Sequence, residues 1–314
     1  MKILLIFVCL RICLTGSCQT YFDISKEKPC SGCENYNPDW QHLKHYKLSE
    51  INQAFDAIKK FGIEFSYPQG GCQNRAQIMS MVLLKQGIEH TRIWLFAPID
   101  LDNNDKTQLQ ITDKNQLTPG NKIKWNYHVA PCALVDNNGK TDTIIMDPSL
   151  DENTPILLWD WLHKIENSRV GKYSILDSKW YFFLTQNNII TGEFYKFEID
   201  NRYCGDNFRN LSMEKGLAIN DLAIYALKKY ITPLNNSVDP EDRNKLKELK
   251  NLFGNGDALT SIFGSEISYC GATVSDNLSY RYYFETYSDL MTDINNYYID
   301  RLNYWVGRSK YLRQ

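Results

Sequence analysis

Apolar and polar positions along the chain alternate between two periods. In LSEINQAFDAIKKFG (48–62), Leu48, Ile51, Phe55 and Ile58 recur at helical spacing, with Ser49 as candidate N-cap and Gly62 as the stop; the pattern predicts an amphipathic helix. IEFSY (63–67) alternates as a strand does, and Pro68-Gln69-Gly70-Gly71 closes it in a turn. QNRAQIMSMVLLKQG (73–87) sets Ala76, Met79, Val82 and Leu83 on one helical face with further apolar residues around it, so this helix is expected to be buried. TRIWLFAP (91–98) reads as a strand and residues 100–124 as a polar loop. YHVAPCALV (127–135) and TDTIIMDP (141–148) read as two strands joined through Asn138-Gly139, a strong hairpin signal. Trp159 and Trp161 fall in a short helix, and KWYFFLTQ (179–186) and EFYKFEI (193–199) are two more strands.

Beyond residue 200 the period changes. LAINDLAIYALKKY (217–230), PEDRNKLKELKNLFG (240–254, with Asp239 as N-cap and Pro240 at N1) and a pattern from about 275 to 308 predict three helices. The expected organisation is α+β, with a sheet-and-helix domain at 48–199 and an all-α C-terminal domain at 200–314. No repeat of solenoid period is present.

The N-terminus changes the picture of where the protein works. Met1-Lys2 precedes the apolar run ILLIFVCL (3–10), too short to span a bilayer, and small residues follow in LTGSCQ (14–19). Residues 1–19 are read as a signal peptide and 20–47 as a polar strap. The expected product is exported, secreted or periplasmic, without a transmembrane segment after processing; Cys18 is the alternative site of a lipid anchor. Lys+Arg of 35 against Asp+Glu of 37 leaves a net charge of -2, and no basic run marks a nucleic-acid partner.

Export permits disulfides, and removing Cys9, Cys13 and Cys18 leaves six cysteines: Cys30, Cys33, Cys72, Cys132, Cys204 and Cys270. PCSGC (Cys30, Cys33) has no second half-site at metal-like spacing, so zinc is not expected and the motif reads as a local or structural disulfide. Cys204 with Cys270 is the natural pair across the helical region. Cys72 differs because it follows Gly70-Gly71 and opens the buried helix, where the positive helix end favours a thiolate and glycines let a carbonyl approach backbone N–H groups. Of the histidines His42, His45, His90, His128 and His163, His128 opens a strand on which His128, Ala130 and Cys132 share a face. Counting back from the hairpin turn, Val135 faces Asp142, which brings Asp147 within a few residues of His128. Cys72, His128 and Asp147 are the candidate catalytic residues, in a papain-like arrangement. Tyr67, Gly71, Trp125 and Tyr127 are candidate walls of the cleft, and Arg75 is expected to cap a loop or form a structural ion pair.

Three blocks in this order, IEFSYPQGGCQNRAQIM (63–79), WNYHVA (125–130) and IIMDPSL (144–150), resemble the bacterial protein-glutaminase family, with its FxYPxxGCxxRAxxM, WxYHVA and DPSL elements. The resemblance spans about residues 48–199. It implies a papain/transglutaminase-like core, a Cys72-His128-Asp147 triad, no cofactor, and deamidation of exposed glutamine in protein or peptide substrates. The same triad also serves transglutaminases and cysteine proteases. A protein whose helical tail docks a partner is the alternative outside enzymes. The helical tail has no counterpart in the family's pattern.

Overall fold

In the computed structural model, residues 42–102, 104–183, 194–196, 211–263 and 280–313 are described. The expected signal peptide, nearly all of the strap, Cys18, Cys30, Cys33, Cys204 and Cys270 lie outside the described residues. Among those described, Cys72 and Cys132 are free thiols, and no helix is long and apolar enough to cross a membrane.

The molecule is built on a mixed but mainly antiparallel sheet. Its strands are β1 (His45–Tyr46), β2 (Thr91–Phe96), β5 (Tyr127–Asn137), β6 (Lys140–Ile145), β7 (Ile156–Leu157) and β8 (Lys172–Asp177). Their order is β7-β6-β5-β2-β8, and β1 adds to β5 in parallel. Helix α1 (Leu48–Lys60) and helix α2 (Cys72–Lys85) belong to the core cluster on one face, with Trp94, Phe96, Val129 and Val135. Ile93, Leu95, Ala130, Cys132 and Ile175, at the alternate positions, point into a second cluster on the other face. Burial on both faces is why β2 is apolar from Ile93 to Phe96 rather than alternating.

The hairpin forms in the expected register: Val135 pairs with Asp142, and Asn138 and Gly139 adopt φ of 54° and 84°, as a type I′ turn needs. Several expectations are corrected. α1 begins at Leu48, so Lys47 rather than Ser49 is its N-cap, and Lys47 N–H donates to the Glu50 carboxylate at 2.8 Å. Residues 63–67 are not a strand, because their polar groups bond to side chains instead of a ladder: Ser66 N–H to Glu64, and the Tyr67 carbonyl to Arg75. Strand β6 stops at Ile145, after which the chain turns on Asp147 through Leu150 N–H and Asp151 N–H to its carbonyl. The loop 100–124 holds helix α3 (Pro98–Leu101) at its start and a small hairpin, β3 (Leu109–Thr112) with β4 (Lys122–Trp125). Strand β8 was not read from the sequence at all. The short helix carrying Trp159 and Trp161 is α4 (Leu158–His163), and β9 (Trp180–Phe183) pairs with β10 (Phe194–Lys196).

The C-terminal helices are α5 (Ser212–Ala226), α6 (Pro240–Phe253), α7 (Gly256–Phe263), α8 (Arg281–Thr286) and α9 (Ser288–Arg313). Asp239 caps α6 by accepting from Glu241 N–H at 2.8 Å, as its sequence indicates. α7 was not foreseen. Helix α5 is buried nearly all round, lying against both α2 and α9. Leu217, Leu222 and Trp305 therefore share one hydrophobic cluster with Ile51 and Val82, and that core crosses the expected boundary at residue 200.

One buried cation pins α2 to the sheet. Arg92 on β2 is fully buried and donates to Ser80 Oγ (3.0 Å), Gln77 Oε1 (2.7 Å) and the Trp180 carbonyl (2.8 Å). Arg92→Met removes all three donors and leaves buried acceptors behind. It is expected to destabilise the fold by about 3 kcal/mol, read from the urea midpoint at constant m. The exposed Arg169→Met is expected to change stability by no more than about 0.5 kcal/mol.

Candidate active site

Backbone geometry at one glycine sets the position of the candidate nucleophile. Gly71, the N-cap of α2, has φ 72° and ψ 22°, a left-handed conformation that disfavours any residue with a Cβ. A Cβ there would also stand 3.2 Å from the Asn74 amide nitrogen. Cys72 is thus the first residue of a 14-residue helix, 8 % exposed. The loop leading to it is capped by the buried Arg75, whose Nη1 donates to the carbonyls of Tyr67 (3.2 Å) and Gly70 (2.9 Å). This is the loop-capping role expected of Arg75.

His128 is buried at the start of β5 between two indoles. Trp125 stacks on it at 4.4 Å between ring centroids and 7° between planes, and Trp161 lies on the other side at 5.6 Å and 17°. Its Nε2 is 2.8 Å from Asp147 Oδ2, while Nδ1 has no hydrogen-bond partner in the protein. Burial opposes the imidazolium, yet the Asp147 carboxylate outweighs it and the Cys72 sulfur adds to the effect, so the His128 pKa lies well above its ordinary value. Burial likewise works against the Asp147 carboxylate, but His128, Ser149 and Trp161 overcome it and hold that group below the usual range. Ser149 donates twice to Oδ1, from its N–H at 3.2 Å and its hydroxyl at 2.5 Å, and Trp161 Nε1 donates to Oδ2 at 2.8 Å. The His128-Asp147 pair is therefore an ionised, water-excluded unit whose every acceptor has a donor. Among the described residues no cluster of His, Cys, Asp and Glu could hold a metal ion.

Cys72 opens onto a cleft of about 970 Å³. Trp125 and Tyr127 form one side, with Leu117 and Thr118 from a loop organised by the buried Asp113, which accepts from Leu117 N–H and Thr118 N–H at 2.8 Å each. Trp125 is itself fixed by its Nε1–H to the Pro68 carbonyl at 2.8 Å. The opposite side comes from the helical region: Gly216 and Asn220 of α5, and Asn255 to Asp257 at the start of α7. Of the four expected wall residues, Gly71, Trp125 and Tyr127 border the cleft. Tyr67 lies at its edge with its side chain wholly buried and its hydroxyl donating to the Phe253 carbonyl at 2.7 Å, bracing the Cys72 loop against α6. Cys132, on the His128 face, bonds Thr91 Oγ1 at 3.0 Å, and burial pushes its thiol up to about 12. It is a packed small residue.

Sequence reasoning did not foresee Trp161, Ser149, Asn74 or Tyr181 as part of this site. The Ser149 contact had a local signal, because an aspartate two residues before a serine commonly accepts from it. Tyr181 reaches in from β9 and donates its hydroxyl to Asn74 Oδ1 on α2, a pairing of distant residues without local signal.

Residues 51–165, which contain Cys72, His128 and Asp147, match the model of a family described as glutaminase. No curated protein matches the chain. Among solved structures it is similar to the protein-glutaminase of Chryseobacterium proteolyticum determined by NMR, at 22% identity over 55% of this chain and 87% of that one, TM-score 0.39. A crystal structure of protein-glutaminase is similar at 20% identity over 56% and 88%, TM-score 0.41. One of pro-protein-glutaminase is similar at 20% over 60% and 62%, TM-score 0.42. The family match supports a hydrolase acting on glutamine amides. The match over residues 51–165 is consistent with the protein-glutaminase family that the three sequence blocks resemble.

Proposed function

We propose that the chain is an exported cysteine amidohydrolase that converts protein- or peptide-bound glutamine to glutamate and ammonia, with residues 48–199 as the catalytic domain. The observation that carries this reading is His128, tethered through Nε2 to Asp147 with Nδ1 left unpartnered, beside a free Cys72 at a helix start, all inside the glutaminase match. The thiol proton resides on His128 Nδ1 in a thiolate–imidazolium pair, and Cys72 Sγ attacks the γ-carboxamide carbon. The tetrahedral oxyanion is held by the Cys72 backbone N–H, which points out of the helix end. When the C–N bond breaks, His128 returns the proton and ammonia leaves. Water, deprotonated by the same imidazole, then hydrolyses the thioester to glutamate and frees the thiol. Trp125 and Trp161 hold the ring in plane while Asp147 sets its tautomer.

The test is ammonia release from a glutamine-rich protein by the full chain beside Cys72→Ala, with peptide cleavage and incorporation of an amine followed in the same tubes. Cys72-dependent ammonia without cleavage or cross-linking is the expected result. Cys72-dependent cleavage or cross-linking in place of ammonia would transfer the site to proteolysis or transamidation. Ammonia release that survives Cys72→Ala would remove Cys72 from the reaction.

A further inference from the structure

The amide of Asn220, on α5 of the helical region, stands over the N-terminal end of α2. Its nitrogen and its oxygen both lie 3.4 Å from the point where a Cβ on Gly71 would be, directly beside Cys72. Asn220 is 2 % exposed, lines the cleft, and its Nδ2 has no hydrogen-bond partner in the protein. Nearby acceptors are already engaged. The Gly71 carbonyl takes Arg75 N–H at 3.0 Å, the Gly70 carbonyl takes Arg75 Nη1, and Asn74 Oδ1 takes the Tyr181 hydroxyl. A buried amide donor left unpaired is destabilising by about 1–3 kcal/mol. Such groups persist where a ligand or a reacting atom completes them.

We infer that Asn220 is a catalytic residue, the side-chain donor that joins the Cys72 backbone N–H in holding the oxyanion, so that the C-terminal helices complete the active site. The inference rests on the amidohydrolase reading above. When Sγ bonds to the carboxamide carbon, the C=O π pair moves onto oxygen, and Nδ2–H of Asn220 donates to that charge. When the C–N bond breaks, the pair returns to the carbonyl and the contact weakens. A donor that meets its acceptor fully only in the tetrahedral state lowers the barrier without tightening the ground state. The glutaminase match ends at residue 165, before Asn220, so this donor comes from outside the matched segment.

The experiment uses full-chain Asn220→Ala and Asn220→Asp, the latter isosteric so that packing is kept. It measures kcat and KM for ammonia release from a glutamine peptide, and the rate at which iodoacetamide alkylates Cys72. The expected result is a kcat lower by about 10²–10³-fold in both variants, lower in Asp than in Ala because a carboxylate repels the oxyanion. In Asn220→Ala, KM and the alkylation rate are expected to stay near wild type. Unchanged kcat overturns the assignment, as does a rise in KM alone, which would make Asn220 a ground-state contact. A fall in kcat matched by a fall in alkylation in Asn220→Ala would make it a residue that only supports the Cys72 loop. Wild-type ammonia release that disappears in Cys72→Ala secures the parent reading separately, so failure of the donor and failure of the reading are told apart.

Discussion

Asp147→Asn is expected to lower kcat for deamidation by about 10⁴-fold, the magnitude seen when the comparable carboxylate is lost from a serine triad. The reason lies in the donors around this carboxylate. Oδ2 accepts from Trp161 Nε1 and faces His128 Nε2, while Oδ1 accepts from Ser149 N–H and its hydroxyl. An asparagine must place its NH₂ at one of these positions. At the Oδ2 position it confronts the Trp161 N–H and donates to Nε2, which moves the imidazole proton to Nδ1, where it cannot accept the thiol proton. At the Oδ1 position it confronts the Ser149 N–H, and the remaining oxygen no longer carries the charge that keeps His128 protonated. The pH profile supplies the second readout. Asp147 is the main cause of the raised His128 pKa, so the imidazolium in the variant should dissociate at a pH lower by about 1–3 units. The basic limb of kcat moves down with it. A variant with wild-type kcat and an unmoved basic limb would show that the carboxylate has no part in the reaction.

The second large effect is expected at a glycine far from the glutaminase match. A Cβ on Gly216 of α5 would stand 1.7 Å from Asn74 Nδ2, 2.5 Å from its Cγ and 3.2 Å from its Cβ. Asn74 sits two residues after Cys72 and is tied through Oδ1 to Tyr181, so it cannot swing aside freely. Gly216→Val must then push α5 away from the start of α2. Overpacking of this kind is destabilising by about 1–3 kcal/mol, and the same shift withdraws one wall of the cleft. A lower thermal midpoint is expected together with ammonia release reduced at least as far as in Asn220→Ala. Near wild-type stability and activity would mean that the α5–α2 contact does not shape the site.

The parts of the site legible in sequence are those encoded by near neighbours. Gly70-Gly71-Cys72 before a buried helix announced a thiol at a helix end, and the structure places it there with Gly71 in the left-handed conformation. The Asn138-Gly139 turn set the register of one hairpin, and that register carries Asp147 to within hydrogen-bond reach of His128. The errors fall where local pattern and tertiary demand diverge. Residues 63–67 alternate like a strand, yet Arg75 and the α6 end take their polar groups. Leu109 and Ile111 with Ile123 and Trp125 make a hairpin too short and too widely separated to stand out from the polar loop around it.

By itself, then, the sequence determined the helix that presents Cys72 and the hairpin that brings Asp147 to His128, because each follows from spacings of a few residues and from one tight turn. Only the tertiary structure decided that Trp125 and Trp161 clasp the imidazole, that Arg92 locks α2 to the sheet, and that α5 closes the cleft with Gly216 and Asn220. Those contacts join residues far apart in the chain. They are selected by shape and by the satisfaction of buried polar groups across packed elements, which no local periodicity records.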